Sequence, residues 1–100
     1  NIKNKIVKSS DLKIDSEGSE KLLKICKKLN ADTYLSGELG KNYLDENIFN
    51  KEKIKIIYEK YEHPTYNQVY RPFLPYMSII DLLFNEGGKS LNIIKNSKNF

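Results

Sequence analysis

The clearest helical pattern lies near the start of the chain, where apolar residues recur every three or four positions between residues 17 and 29. These residues are Leu22, Ile25, Cys26 and Leu29. Lysines lie between them and supply a hydrated face and a basic C-terminal end. The pattern predicts an amphipathic helix that stops at Asn30, with Cys26 as an unreactive core residue.

Short runs of β-branched and aromatic residues predict strands at residues 5–9, 33–35 and 54–61. The second run ends at Ser36-Gly37, and a short apolar-periodic segment at residues 43–49 predicts a helix before the third run. Strands that alternate with helices in this way indicate an α/β fold, here a small layered domain with short strands.

Prolines dominate the pattern between residues 62 and 76. Pro64, Pro72 and Pro75 each fix their own φ and bias the preceding residue to extended geometry. We therefore predict an ordered, extended connection without a helix over this stretch.

The last part of the chain returns to helical patterning. Residues 77–85 form a dense apolar run that predicts a helix ended by Gly87-Gly88, and residues 90–95 predict a last short helix. We expect the tail, residues 96–100, to be loose.

A chain of 100 residues has room for one compact domain with a modest core, so we predict a single domain over residues 1–100. It begins at Asn1 rather than at methionine and enters directly into a strand-like stretch. We therefore expect it to be a piece of a larger α/β protein. A sheet cut in this way leaves an open edge, which favours association between copies of the chain as a homo-oligomer.

The formal net charge of +4 first suggests an anionic partner, but the residue types argue against nucleic acid. Arg71 is the only arginine, and no basic run with interleaved aromatic residues occurs. The single cysteine and single histidine form neither a disulfide nor a metal site of the usual spacing, which favours a reducing, cytoplasmic location. No apolar run approaches the roughly 20 residues of a membrane span.

Three groups of residues could carry chemistry. In the first, Tyr34, Ser36 and Gly37 end a strand just before Gly40. Such a loop can hold a phosphate or carboxylate with its backbone N–H groups, or it can be a tight turn that needs glycine's φ freedom. The spacing matches neither a Walker A loop nor a GxGxxG fingerprint, so the turn is favoured.

The second group surrounds His63 and includes Tyr58, Tyr61, Tyr66 and Gln68. His63 could act as a general acid or base, with Tyr66 and Gln68 holding a sugar or nucleotide. The alternative is a histidine that caps the turn at Pro64, and it is favoured by spacing alone because no second catalytic partner is identifiable.

The third group is Ser78 and Asp81, three residues apart and so on one face of the predicted helix. An unpaired carboxylate among apolar residues is costly. We expect Asp81 to accept hydrogen bonds from backbone donors of the proline-rich segment, with a catalytic role as the alternative.

The ordered series of these motifs resembles the C-terminal portion of the WbqC-like protein family over nearly the whole chain. The matching positions are residues 9–12, 19–26, 31–37, Lys41, Tyr43, Leu44, Phe49, Tyr58, Tyr61, His63, Pro64, Tyr66, Gln68, Phe73, Pro75, residues 78–85 and Gly87. One departure is Glu38-Leu39, which follows Ser36-Gly37 where the family commonly has small residues.

The resemblance implies a bacterial protein of surface-polysaccharide biosynthesis, such as that of O-antigen or lipopolysaccharide. We expect group transfer onto a small-molecule substrate, a sugar nucleotide or a lipid-linked sugar, with His63 and Asp81 as catalytic residues. The residues expected to bind substrate are Tyr34, Ser36, Gly37, Tyr66, Gln68 and Ser78. The resemblance names no cofactor. The alternative is a non-catalytic module that binds a glycan intermediate or a partner protein.

Overall fold

The computed structural model describes residues 3–99, which fall into two compact units. The N-terminal unit is Asn1–Glu59 and the C-terminal unit is Lys60–Phe100. The single domain expected from chain length stays a prediction.

The N-terminal unit has a β-α-β core. After a 3₁₀ helix at Ser9–Leu12, it contains α1 (Gly18–Lys28), β1 (Thr33–Gly37), a second 3₁₀ helix (Glu38–Asn42), α2 (Glu46–Lys51) and β2 (Lys55–Tyr61). β1 and β2 are parallel, with Thr33 opposite Lys55 and Gly37 opposite Glu59. Parallel neighbours joined through a helix confirm the α/β fold class.

Helix α1 ends where its sequence predicts. Asn30 adopts a left-handed conformation with φ of 53°, and its N–H donates to the Lys27 carbonyl at 3.1 Å. The N–H of Ala31 donates to the Cys26 carbonyl at 2.9 Å. This is a Schellman cap, in which asparagine takes the position that glycine usually holds.

A small cluster of buried residues holds the N-terminal unit together. Its buried members are Leu23, Cys26, Leu44, Phe49 and Ile54. Tyr34 stacks on Phe49, with ring centroids 5.7 Å apart. Burial raises the pKa of the Cys26 thiol, so the thiol stays protonated and is a poor nucleophile. The prediction that Cys26 is a core residue is confirmed, and its low reactivity stays a prediction.

Two sequence predictions for the N-terminal unit need correction. Residues 3–8 have no regular structure, and the 3₁₀ helix begins at Ser9, so the strand predicted at residues 5–9 is wrong. A strand needs a hydrogen-bonded neighbour, and Ile6 is 87% exposed. The helix predicted at residues 43–49 lies further along the chain, because the Asp45 side chain caps it by accepting from the Asn47 N–H at 3.0 Å.

The C-terminal unit begins with the last two residues of β2, Lys60 and Tyr61. The segment up to Ser78 has no helix or strand, which confirms that the prolines exclude a helix. It is not extended throughout, because the Gln68 side chain bonds to the backbone of Leu74 and closes a loop. It is followed by α3 (Ile79–Glu86), a 3₁₀ helix (Gly87–Lys89), α4 (Ser90–Asn96) and β3 (Lys98–Asn99). None of the helices described between residues 3 and 99 has the length and apolar character that crossing a membrane requires.

The ends of these elements test the remaining predictions. Gly87 stops α3 with φ of 51°, as expected from the sequence. The loose tail is wrong for Lys98–Asn99, which pair antiparallel with Lys60 and Tyr61. The final residue of that prediction, Phe100, lies outside the described residues.

Candidate functional site

The eight residues expected to form a site are divided between the two units. Tyr34, Ser36 and Gly37 lie in the N-terminal unit, and His63, Tyr66, Gln68, Ser78 and Asp81 lie in the C-terminal unit. Within the C-terminal unit, Tyr66, Gln68 and Asp81 are in direct contact. These three form the polar cluster of the candidate site.

Asp81 lies at the centre of this polar cluster. Its Oδ2 accepts from the Tyr66 hydroxyl at 2.7 Å and from Gln68 Nε2 at 2.9 Å, and its Oδ1 accepts from Asn85 Nδ2 at 3.2 Å. The bond from Tyr66 and then that from Gln68 lower the pKa of Asp81, so the carboxylate is ionised at neutral pH. Burial, followed by the bond to Asp81, raises the pKa of Tyr66, which stays a donor.

Gln68 joins the cluster to the proline-rich segment. Its Oε1 accepts from the Leu74 N–H at 2.9 Å, and its Nε2 donates to the Leu74 carbonyl at 3.0 Å. The side-chain amide therefore closes a loop whose intervening residues, 69–73, we call the tip loop. We expected Asp81 to serve backbone donors here, but Gln68 serves them and Asp81 accepts from side chains.

His63 is held by its neighbours in a defined orientation. Its Nε2 accepts from the Tyr76 N–H at 3.0 Å, and its ring lies 4.9 Å from that of Tyr76 and 6.2 Å from that of Tyr66. Because Nε2 is an acceptor, Nδ1 is the ring nitrogen that carries the proton. Nδ1 is buried without a partner among the described residues, an arrangement that costs about 1–3 kcal/mol. His63 thus caps the backbone at Tyr76 and not the turn at Pro64.

Ser78 is the N-cap of α3. Its Oγ accepts from the Ile80 N–H at 3.1 Å, which satisfies one of the free donors at the helix start. The serine therefore precedes the helix on which Asp81 lies. A role for Ser78 in substrate binding stays a prediction.

A cavity of about 310 Å³ lies against the polar cluster. Gln68, Asp81 and Asn85 line it on the polar side, and the tip loop contributes Tyr70 and Arg71. Sequence reasoning missed Arg71, although its being the only arginine was an available signal.

His63 does not line that cavity but a separate hollow of about 340 Å³. The hollow is also lined by Pro64, Thr65 and Ile93. The two residues expected to be catalytic, His63 and Asp81, therefore face different spaces. Among residues 3–99, no three His, Cys, Asp or Glu side chains are grouped so that they could hold a metal ion.

The predicted site residues of the N-terminal unit contribute to its packing. Ser36 is 4% exposed, and its hydroxyl donates to the Gly37 carbonyl at 3.1 Å. Gly37 has φ of −65°, and Gly40 is not among the residues with positive φ, so neither needs glycine's φ freedom. Gly40 is needed instead for close approach, because a Cβ there would overlap Ser36 Oγ.

Tyr58, grouped with His63 by sequence, lies in the N-terminal unit. Its hydroxyl donates to Glu46 Oε1 at 2.7 Å, and this bond raises the pKa of Tyr58 to about 12. The Lys41 ammonium lies 5.4 Å from the centre of its ring. The Tyr58 hydroxyl therefore stays protonated at neutral pH, and its hydrogen bond to Glu46 links β2 to α2.

The lowered pKa of Asp81 predicts an acid-dependent loss of stability. A carboxyl group whose pKa is lower in the folded state stabilises the fold above its ordinary value of 3.8, and this contribution is lost as the pH falls through the folded value. We expect the stability difference between the wild type and Asp81→Asn to be constant near neutrality and to shrink below pH 3.8. Denaturant titrations at several pH values measure it.

Tyr66→Phe is the matched variant for this experiment, because it removes the largest cause of the lowered pKa and keeps the ring. The pH dependence contributed by Asp81 should be smaller in that background. An unchanged dependence would show that the bond from Tyr66 does not control Asp81.

Comparison with known proteins adds a family. Residues 1–93 match the model of the WbqC-like protein family. The chain is 30% identical over 95 residues to the uncharacterized protein Rv1507c of Mycobacterium tuberculosis. This alignment covers 94% of the chain and 41% of Rv1507c. The chain thus spans about two fifths of the length of the curated relative that it matches. No solved structure matches it.

Proposed function

Because this chain belongs to the WbqC-like protein family, we propose that it is part of a cytoplasmic enzyme of bacterial surface-polysaccharide biosynthesis that acts on a nucleotide-linked or lipid-linked sugar. The match over residues 1–93 confirms the family that the motifs indicated. The assignment to the C-terminal portion of a family member stays a prediction. The absence of a nucleic-acid partner and the association between copies of the chain also stay predictions.

The observation that carries the proposal is the polar cluster on the wall of the cavity. A space of about 310 Å³ is at the lower end of the range for small-molecule sites, and a single sugar unit fits it. Sugar hydroxyls both donate and accept, and Asp81, Gln68 and Asn85 offer fixed carboxylate and amide groups. Because hydrogen bonds already set the orientation of Asp81 and Gln68, little ordering is needed when a ligand binds.

The proposed reaction transfers an acyl group from a thioester donor to a hydroxyl or amino group of the sugar. The new bond joins the acyl carbon to the sugar oxygen or nitrogen, and the carbon–sulfur bond breaks. His63 accepts the proton that the nucleophile loses and passes it to the departing thiolate. Since His63 lines a different hollow from the cavity beside the polar cluster, and its Nε2 accepts from Tyr76, this role requires that the reacting group of the bound sugar extend into that hollow and release that bond.

In this proposal Asp81 binds the sugar and positions its neighbours, and it is not the general base. It faces a different space from His63, and its low pKa makes it a poor proton acceptor. Its task is to orient Tyr66 and Gln68, and through Gln68 the tip loop.

A second function, a non-catalytic binding module, is favoured by exposed apolar side chains in the C-terminal unit. Tyr70 is 84% and Phe84 is 88% exposed, and Tyr76 is 80% exposed. In this second proposal the three side chains form one apolar surface, and such surfaces mark sites of interaction. Such a module would hold a glycan intermediate or a partner protein and leave the sugar unchanged.

The test is a thermal-shift screen of the chain with sugar nucleotides and acyl thioesters, followed by analysis of the products. A ligand that binds only the folded state raises the unfolding midpoint. We expect a sugar nucleotide to raise it, and Tyr66→Phe to weaken binding about tenfold through loss of the bond that fixes Asp81. Tyr43→Phe removes a hydroxyl from an exposed residue that does not line the cavity, and should bind as the wild type does.

His63→Gln separates the two functions. The enzyme predicts that this variant keeps binding the sugar nucleotide but loses acyl transfer. If the wild type binds the sugar nucleotide and leaves it unchanged with every acyl donor, the binding module is the better account. If no sugar nucleotide binds, the proposal fails.

A further inference from the structure

We propose that Arg71 forms an anion-binding end of the cavity, and that the ligand is a sugar phosphate whose phosphate contacts Arg71 while a sugar hydroxyl reaches Asp81 Oδ1. The inference deepens the proposed function and rests on it. It starts from the way in which the tip loop is held.

The backbone on both sides of Arg71 is fixed by side chains. Gln68 pairs with both backbone groups of Leu74 at the base of the loop. Helix α3 holds the entry to the loop, since Asn85 Oδ1 accepts from the Val69 N–H at 3.2 Å. An exposed side chain on a loop fixed in this way can bind a ligand without first ordering the backbone.

Arg71 has the chemistry of a phosphate-binding group. The ion pairs found among residues 3–99 are Lys24–Glu20 and Lys27–Glu52, so Arg71 has no carboxylate partner in that part of the chain. The planar guanidinium offers two parallel N–H donors to one phosphate, which a lysine ammonium cannot do. The only arginine of a lysine-rich chain thus lines its cavity beside the polar cluster.

Asp81 decides what the rest of the ligand must be. An ionised carboxylate has about four acceptor positions, two on each oxygen. Tyr66 and Gln68 occupy Oδ2, whereas Asn85 alone occupies Oδ1, which can accept one more hydrogen bond. The negative charge repels a second anion and favours a neutral donor such as a sugar hydroxyl. A phosphate at Arg71 and a hydroxyl at Asp81 together describe a phosphorylated sugar.

The walls between these groups are apolar enough for a sugar ring. Leu74 and Met77 line the cavity, and Tyr70 presents an exposed aromatic ring next to Arg71. The C–H face of a pyranose packs on such surfaces while its hydroxyls bind polar groups at the rim.

The experiment titrates the chain with glucose 1-phosphate, inorganic phosphate and glucose, and follows binding by calorimetry. We expect glucose 1-phosphate to bind more tightly than either of its parts. Arg71→Ala should weaken it about tenfold or more, and Arg71→Lys by less, because charge is kept and the paired geometry is lost. Lys89→Ala removes the same charge from an exposed residue that does not line the cavity, and should bind as the wild type does.

The outcomes separate this inference from the proposed function. Wild-type binding of a sugar nucleotide that Arg71→Ala leaves unchanged would overturn the role of Arg71 and leave the function standing. Equal affinity for glucose 1-phosphate and inorganic phosphate would overturn the hydroxyl contact at Asp81. If neither glucose 1-phosphate nor a sugar nucleotide binds the wild type, both proposals fail.

Discussion

Replacement of Phe49 by alanine is expected to lower the free energy of unfolding by about 3–5 kcal/mol. Phe49 is 0% exposed, and its side chain is the largest that is fully buried among the described residues. The substitution removes the ring on which Tyr34 stacks and leaves a cavity in the core. Since small domains are stable by only about 5–15 kcal/mol, this is the largest loss that we expect from a single side chain.

Urea denaturation followed by circular dichroism measures the change. Leu39→Ala is the matched control, because Leu39 is 75% exposed and its truncation should change the free energy of unfolding by no more than about 0.5 kcal/mol. A loss below about 1 kcal/mol in Phe49→Ala would mean that the buried cluster around it is not what stabilises the N-terminal unit.

Gly40→Ala is expected to destabilise the chain by about 1–3 kcal/mol, because the added methyl group has no room. It would overlap Ser36 Oγ and lie 3.1 Å from Leu44 Cδ1 and 3.2 Å from Ser36 Cβ. Ser36 and Leu44 are both buried, so neither can move aside without disturbing its own packing. Thermal unfolding of the variant and the wild type measures the loss.

Gly37→Ala provides the matched control for Gly40→Ala. No atom lies within 4 Å of the position that its Cβ would take, and its φ of −65° suits any residue. It should therefore be neutral or stabilise by up to about 1 kcal/mol, because alanine restricts the unfolded chain more than glycine does. Ser36→Ala should rescue part of the loss in Gly40→Ala, since the overlapping hydroxyl is then gone. If there is no rescue, the overlap with Ser36 is not the cause.

The elements that sequence predicted well are those with local signals. Helix α1 has an apolar stripe and a stop at Asn30, and α3 has a dense apolar run and a stop at Gly87. The shifted start of α2 also had a local signal that was not used, since Asp45 is a good N-cap residue. Helix ends are set by a few neighbouring residues and can be found from sequence.

The wrong strand predictions share a physical cause. Ile6 and Val7 have high strand propensity, yet residues 3–8 have no regular structure. The tail looked loose, yet Lys98 and Asn99 pair with residues about 38 positions earlier in the chain. Whether a run becomes a strand depends on a partner that local pattern does not reveal.

Residues of the candidate site were predicted from sequence, but the hydrogen bonds between them were not. Tyr66, Gln68 and Asp81 were all named from sequence, and they prove to be hydrogen-bonded to one another. That His63 and Asp81 line different spaces depends on how residues 62–76 fold over α3, which no spacing rule gives. Arg71 was the only arginine, but its place beside the cavity depends on the tertiary structure.

The hydrogen bonds between the Gln68 amide and Leu74 close the tip loop, and they affect how far the length of that loop can vary. Both bonds go to the backbone of Leu74, so they do not depend on which side chains the tip loop carries. The entropy of closing a flexible loop rises slowly with length, by about 0.6 kcal/mol for each doubling. Insertions in the tip loop would therefore extend the edge of the cavity at a small cost in free energy, while the Asp81 carboxylate stays in place.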